Sequence, residues 1–186
     1  MTRRVIAFAV LWLALLAAGA YRCYVFATTP GRAAPAPVTW PVDSTLPRAT
    51  ATPTIVMFAH PDCACTAASL VELADLVAEL APRPRVLIVF TGAHDPRASA
   101  NWDTAGRIAD AIRLRDDGRE ARRFGAQTSG YALVYDARGI RRFAGGLTGA
   151  RGHVGDNVGR RAAAAALRGT AGEPSHGVFG CSLEAE

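Results

Sequence analysis

The sequence predicts an α/β fold with a central mixed sheet flanked by helices, preceded by one N-terminal transmembrane helix. Apolar runs of strand length alternate with stretches of helical spacing from residue 54 to residue 124. Two further apolar runs then flank a short turn, and a helix-like stretch follows them. Alternation predicts parallel strands joined by helices, and two runs around a turn predict an antiparallel hairpin. The transmembrane helix is predicted by an apolar run that follows two arginines.

The chain opens with this membrane-directed segment. Two arginines precede an apolar run from Val5 to Ala20. Such a pattern is typical of a segment that enters a membrane with its N-terminus in the cytoplasm. We expect residues 5–27 to remain as an anchor, with their tyrosines at the outer interface; the alternative is that Ala18-Gly19-Ala20 serves as a signal-peptidase site. Both interpretations place the rest of the chain outside the cytoplasm.

Residues 28–53 read as a linker, and residues 54–186 as one domain. The linker contains six prolines separated mainly by alanine and threonine, a composition that prefers extended conformations. We expect it to hold the domain away from the membrane surface. The formal net charge of +5 comes from arginine alone among the basic residues, and it is spread along the chain. Without a basic stripe interleaved with aromatics, we expect no nucleic-acid partner.

The domain begins with a strand, a helix and a strand. Residues 54–58 form a short apolar run suited to a buried strand. Leucines and a valine recur at helical spacing from Leu70 through Ala81, and two prolines end that helix. Residues 85–91 form the clearest strand of the chain, closed by Gly92. This segment predicts two parallel strands joined by a helix.

The middle of the domain has weaker patterns. Residues 98–107, which include Trp102, predict a short helix. A strand over 111–115 ends at the turn sequence Asp116-Asp117-Gly118. Residues 118–124 predict another short helix.

The C-terminal part predicts a hairpin and a helix. Residues 131–135 and 140–144 flank the turn 136–139, which is a hairpin pattern. A glycine-rich loop over 145–155 leads into an alanine-rich helix over 156–168, and a tail follows it. The resulting order is β-α-β-α-β-α-β-β-α. This is the thioredoxin arrangement, so we expect a thioredoxin-like fold.

Cys63 and Cys65 are the main candidate site residues. They stand where the first strand gives way to the first long helix, at the sheet edge where sites collect in open α/β sheets. A helix N-terminus carries partial positive charge and unpaired N–H groups, so it stabilises a thiolate. Thiolates attack disulfides and bind soft metals. Asp62 or Thr66 is expected to cap this helix.

The spacing of the cysteines leaves their pairing open. Residues two apart on a helix point to different sides, so a Cys63–Cys65 disulfide requires Cys63 to lie outside the helix, in a strained ring. Cys181 in the tail is the third candidate, either as a resolving thiol or as a soft-metal ligand. The alternative for these cysteines is an inert place in the core. Cys23, at the membrane boundary, is expected to take no part.

Three other residues could assist the cysteines. His60, three residues before Cys63, could be a thiolate partner or a ligand, or could simply end the strand. Arg151 and His153 lie in the glycine-rich loop, which a thioredoxin-like sheet brings beside the first helix N-terminus. There they could add positive charge near the thiolates, or remain in a surface loop.

Four separate blocks of the sequence form a recognisable pattern: His60–Ser69, Thr128–Gly130, the stretch Gly145–Thr148 with Arg151–His153 and Gly155–Asn157, and Phe179–Cys181. This pattern resembles the RedB family, bacterial thioredoxin-like proteins anchored in the membrane. The resemblance implies a thioredoxin fold, redox chemistry and a place in the bacterial inner membrane, with a single span and the domain facing the periplasm or the cell exterior. The family pattern has prolines where this chain has Ala64 and Ser182.

The chain also departs from thioredoxins proper. It has Cys-x-Cys in place of Cys-x-x-Cys and lacks the preceding tryptophan, and Ser129-Gly130 stands where thioredoxins have a cis-proline. That proline shapes the substrate groove of thioredoxins. Ordinary thioredoxin activity is therefore not implied.

Three functions remain open at this point. The first is a thiol–disulfide oxidoreductase in which Cys63 or Cys65 attacks and the other, or Cys181, resolves. The second is a binding module for copper or another soft metal, with Cys63, Cys65 and either His60 or Cys181 as ligands. The third is a redox-silent interaction module. We expect no cofactor, and as partners the inner membrane and a protein thiol or disulfide of unknown identity.

Overall fold

The computed structural model of the protein describes residues 3–183. It contains a long N-terminal helix, a five-stranded sheet and four further helices. The strands are β1 Thr54–Ala59, β2 Arg85–Thr91, β3 Ala111–Asp116, β4 Tyr131–Tyr135 and β5 Arg141–Gly146. The helices are α1 Arg3–Thr28, α2 Ala64–Ala78, α3 Ala100–Ala105, α4 Arg119–Arg123 and α5 Val158–Arg168. A 3₁₀ turn at Pro96–Ala98 precedes α3.

The sheet is mixed, in the strand order β3-β2-β1-β4-β5. Strands β1, β2 and β3 are parallel, with Phe58 beside Val89, whereas β4 runs antiparallel to β1 and β5 antiparallel to β4. The order of elements along the domain matches the predicted one. The thioredoxin-like α/β fold is therefore confirmed.

Strand β1 lies at the centre of the sheet, and all six of its residues are buried. Its side chains alternate between two clusters, as the period of a strand requires. Ile55 and Met57 belong to the cluster that includes α2 and α5, and Val56 and Phe58 to the cluster that includes Phe124. Because both faces are covered, the carboxyl end of β1 is held rigidly where the candidate cysteines follow.

Helix α1 is long and apolar enough to cross a membrane. Its 26 residues have a mean hydropathy of 1.9 over the best window, and none of them is buried. At 1.5 Å per residue, such a helix is roughly 39 Å long, which exceeds the roughly 30 Å of a bilayer's hydrocarbon core.

The proline-rich segment after α1 lies against the domain, which differs from the expected spacer. The Trp40 ring packs edge-on against Phe124 and Tyr135, with centroids 5.0 and 5.1 Å away. Leu46 is buried, and the Trp40 N–H donates to the Gly139 carbonyl at 2.8 Å. The composition predicts an extended spacer, but the segment packs on the domain because the side chains of Trp40 and Leu46 contact its core.

Replacing Trp40 with alanine tests this packing. Each aromatic pair contributes about 0.5–1.5 kcal/mol beyond its buried area, so Trp40→Ala should lower the free energy of unfolding by about 1–3 kcal/mol. Urea unfolding of the full chain in detergent, followed by circular dichroism, measures the change. Val42, which is 96% exposed in the same segment, provides the control. Val42→Ala should change the value by less than about 0.5 kcal/mol; equal effects of the two substitutions would contradict the packing.

Candidate functional site

Cys63 lies at the junction of β1 and α2. It is the N-cap residue of α2, with an extended backbone at φ −80° and ψ 114°, and it is 2% exposed. The expected cap at Asp62 or Thr66 is therefore wrong, because the helix begins one residue after Cys63. Ser, Thr, Asp and Asn usually hold this position, where a side-chain acceptor faces the first N–H groups of the helix. In this protein a sulfur stands there.

A buried asparagine and two hydroxyls position the turn that carries Cys63. The Asn101 side-chain amide donates to the carbonyls of Pro61 and Cys63, at 2.8 and 3.0 Å. The Ser129 hydroxyl accepts from the His60 N–H at 2.7 Å and lies 2.6 Å from the Thr66 hydroxyl. These contacts satisfy buried main-chain groups that would otherwise be costly.

Main-chain pairing brings the tail to this turn. The Ser129 N–H donates to the Cys181 carbonyl at 2.8 Å, and the Leu183 N–H donates to the Gln127 carbonyl at 2.9 Å. Thr128 and Ser182 form an antiparallel bridge between these two contacts. A Cβ at position 180 would collide with the Ser129 carbonyl oxygen, so glycine is required there.

The two sulfurs of Cys63 and Cys181 meet as a result. Their Sγ atoms are 2.7 Å apart, and the Cys181 N–H points to the Cys63 sulfur at 3.4 Å. Cys181 is exposed, whereas Cys63 is buried beneath it. The pair joins residues 118 positions apart in sequence. Their sulfurs are close enough to form a disulfide, whose bond is about 2.05 Å long.

The electrostatic environment makes the two thiols unequal. Burial opposes ionisation of Cys63, yet hydrogen bonds from the Cys181 thiol, the Thr66 hydroxyl and the N–H groups of both residues lower the pKa of Cys63. Desolvation, the hydrogen bond to Cys63 and the negative charge of Cys63 raise the pKa of Cys181 to about 12. Cys63 is therefore the thiol of the pair that ionises first, and Cys181 is the one that keeps its proton.

Cys65 lies two residues after Cys63, in the first turn of α2, and has a different environment. It is half-buried, and desolvation together with the charge on Cys63 raises the pKa of its thiol, against an opposing effect of Arg151. The Cys65 thiol hydrogen-bonds to Cys63 and to Arg151, and Cys63 in turn contacts Cys181. The geometry thus brings the three predicted cysteines together, with Cys63 in contact with both of the others.

The other sequence candidates are placed as follows. The ring of His60 accepts from the Asp62 N–H at 3.1 Å, so its Nδ1 is used within the turn. Arg151 donates to the Gly180 carbonyl, next to Cys181. His153 is exposed in the same loop. Cys23 is exposed on α1. Within residues 3–183, no group of three or more His, Cys, Asp or Glu side chains is arranged to hold a metal ion.

Sequence reasoning did not find Asn101, nor the roles of Ser129 and the Thr66 hydroxyl. Asn101 comes from the short helix α3, whose start is capped by Ser99 accepting from the Trp102 N–H. In the sequence, an isolated asparagine in a weakly patterned segment does not indicate a contact with a turn 40 residues earlier. The contact forms because α3 packs against α2, which only the structure shows.

Comparison with known proteins shows the fold but no family. The sequence matches no protein-family model and no curated protein. A hypothetical protein from Sinorhizobium meliloti superposes with a TM-score of 0.60 at 16% identity, over 85% of this chain and 95% of the other. An uncharacterised conserved protein from Geobacillus kaustophilus superposes with a TM-score of 0.57 at 16% identity, over 86% of this chain and 93% of the other. A pneumococcal exposed lipoprotein thioredoxin from Streptococcus pneumoniae has a TM-score of 0.47 at 18% identity, over 64% of this chain and 86% of the other.

The unequal pKa values predict that the Cys63 and Cys181 thiols ionise in two separate pH ranges, a low-pH part and a high-pH part of the titration. Because the pKa of Cys63 is lowered, its thiolate should form below the ordinary thiol range, whereas Cys181 should ionise only near pH 12. Ultraviolet thiolate absorbance of the reduced full chain measures this, and the low-pH part is assigned by its loss in Cys63→Ser. Cys23→Ser serves as the control and should leave that part unchanged. A low-pH part that persists in Cys63→Ser would contradict the assignment.

Substitution of Asn101 tests its role as a positioning residue. Asn101→Ala leaves buried carbonyls without donors, which should lower the free energy of unfolding by about 1–3 kcal/mol. A looser turn should also raise the pKa of Cys63 toward the ordinary thiol value of about 8.5. The thiolate titration and urea unfolding measure the two effects. Asp103→Ala, an exposed change in the same helix, is the control. A Cys63 titration that Asn101→Ala leaves unchanged would show that Asn101 does not position the thiolate.

Proposed function

We propose that this protein is a membrane-anchored, extracytoplasmic thiol–disulfide exchange protein of the RedB type, with Cys63 and Cys181 as its redox pair. One observation carries the proposal: the buried sulfur of Cys63, at the N-terminus of α2, contacts the exposed sulfur of Cys181 at 2.7 Å. A thiolate with a lowered pKa next to a protonated, accessible thiol is the arrangement that reversible disulfide exchange requires.

The exchange reaction starts from the Cys63–Cys181 disulfide. A partner thiolate attacks the exposed Cys181 sulfur, and Cys63 leaves as a thiolate that the Thr66 and Cys181 hydrogen bonds stabilise. A second thiolate of the partner then attacks the partner's first sulfur, which is bonded to Cys181 in the mixed disulfide. Cys181 leaves as a thiolate and takes up a proton. The partner becomes a disulfide and the pair a dithiol, with two electrons transferred. In the reverse sequence Cys181 first loses its proton and attacks the partner's disulfide, which releases one partner thiolate. The Cys63 thiolate then attacks the Cys181 sulfur of the mixed disulfide and releases the second partner thiolate, so that the pair is oxidised and the partner reduced.

Cys65 stands outside this disulfide in our proposal. The Cys65 thiol hydrogen-bonds to Cys63. The sulfur that lies 2.7 Å from the Cys63 sulfur, however, is that of Cys181, whose N–H also points to it. We therefore place Cys65 beside the Cys63–Cys181 disulfide and not in it.

The RedB assignment and the location rest on the sequence. The four blocks that resemble that family include both cysteines of the pair and the Thr128–Gly130 stretch that pairs with the tail. Helix α1, which begins with two arginines, supports a single span of the bacterial inner membrane with the domain on the periplasmic or outer side. We accordingly propose residues 5–27 as the anchor and residues 54–186 as the redox domain.

A redox titration with thiol trapping tests the proposal. The full chain is equilibrated in glutathione buffers, quenched with acid, alkylated under denaturing conditions and mapped by mass spectrometry. Under oxidising conditions we expect a peptide pair linked through Cys63 and Cys181. It should be lost in Cys63→Ser and in Cys181→Ser, and it should persist in the matched control Cys65→Ser. If no such linkage forms in the wild-type chain, the protein is not a thiol–disulfide exchange protein of this kind.

A further inference from the structure

We infer that the cysteine pair faces the membrane surface and that its redox partner is a protein of the same bilayer, which presents a thiol at headgroup level. The feature that carries this inference is Arg151, which joins the last turn of α1 to the tail residue before Cys181. The inference rests on the proposed function, from which it takes the anchor and the exchange reaction.

Arg151 holds the C-terminal end of α1 in three ways. Its N–H donates to the Ala27 carbonyl at 2.9 Å, and its Nε donates to the Phe26 carbonyl at 3.0 Å. Its guanidinium lies over the Phe26 ring, 4.7 Å from the centroid. The last carbonyls of a helix have no partner within the helix, and a cation is favourable at that end. Arg151 therefore caps the candidate membrane helix from the domain.

The same guanidinium also donates to the Gly180 carbonyl, so one side chain links α1 to the tail. The residues that follow α1 strengthen this link. The Gly31 N–H donates to the Val178 carbonyl at 2.7 Å, and the Thr128 hydroxyl donates to the Arg32 carbonyl at 2.7 Å. The helix end, the tail and the strand-like stretch that pairs with the tail form one connected set of contacts.

The end of α1 has the composition of a membrane interface. Tyr21, Tyr24 and Phe26 are all exposed, and tyrosines collect at the headgroup level. Tyr21 and Phe26 are separated by about 8 Å along the helix axis, which is close to the roughly 5–8 Å depth of one headgroup layer. Arg151, bound to Phe26, thus lies at headgroup level. Val154, exposed in the same loop, adds apolar surface there.

This placement selects the kind of partner. The exposed sulfur of the pair, Cys181, directly follows the residue that Arg151 holds. A thiol carried at headgroup level by another protein of the bilayer meets it by lateral diffusion. A soluble protein must instead bring its thiol between the domain and the lipid surface. Confinement to one surface raises the effective concentration of the first kind of partner.

Fluorescence quenching tests the placement. The full chain, with all four cysteines replaced by serine, is reconstituted in liposomes that contain a lipid with a nitroxide headgroup. A single labelled cysteine is introduced by His153→Cys, in the Arg151 loop, or by Arg138→Cys, in the hairpin turn at the opposite sheet edge, where the wild-type side chain is 79% exposed. We expect several-fold stronger quenching at position 153, and a smaller difference when Arg151→Gln is added. Equal quenching at the two positions would overturn the inference.

Reduction by a membrane thiol tests the partner class. The oxidised wild-type chain is mixed with a phospholipid that carries a thiol headgroup, or with mercaptoethanol as the soluble thiol. Arg151→Gln should lower the ratio of the two reduction rates, lipid thiol over mercaptoethanol, by about tenfold, and the ratio cancels any direct effect of Arg151 on the cysteines. The matched control Arg138→Gln should leave the ratio unchanged. A ratio that Arg151→Gln does not alter would refute the membrane partner. Absence of the Cys63–Cys181 linkage in the redox titration would instead refute the proposed function, and neither quenching nor lipid reduction affects that result.

Discussion

Ser129 is the residue on which the geometry of the site depends. Its N–H holds the Cys181 carbonyl, and its hydroxyl contacts both the His60 N–H and the Thr66 hydroxyl. One residue therefore fixes both the tail and the turn that carry the two sulfurs. It can do so because β1 and β4 are paired beside it, with Phe58 opposite Tyr131. The position of each sulfur is thus set by contacts with the central sheet.

The fold could be predicted because its elements are periodic over short distances. Apolar spacing along α2 and the runs of β1 and β2 depend on neighbouring residues, and the structure confirms their order. The contact between Cys63 and Cys181 could not be derived in this way. It depends on main-chain pairing of an unpatterned tail, and main-chain hydrogen bonds leave little trace in side-chain sequence. Gly180, which the Ser129 carbonyl requires, was the nearest available signal.

The segment between α1 and β1 shows where composition misleads. Its prolines favour an extended backbone, and residues 29–53 indeed form no helix or regular strand. The segment nevertheless packs against the domain through the side chains of Trp40 and Leu46. The two neighbours with TM-scores of 0.60 and 0.57 align over more of this chain than residues 54–186 alone provide, so part of the preceding chain belongs to the shared architecture. An extended segment is therefore not necessarily a spacer.

The burial of Cys63 has a consequence for chemical damage. Progression of a thiolate to sulfinic and sulfonic acids requires that peroxide reach the sulfur, and the most ionised sulfur here lies beneath the tail. The sulfur that solvent meets first, on Cys181, is held protonated and is therefore a poor target for oxidants. Ionisation and accessibility are thus assigned to different atoms: the sulfur that ionises first is shielded from solvent, and the sulfur that solvent reaches keeps its proton.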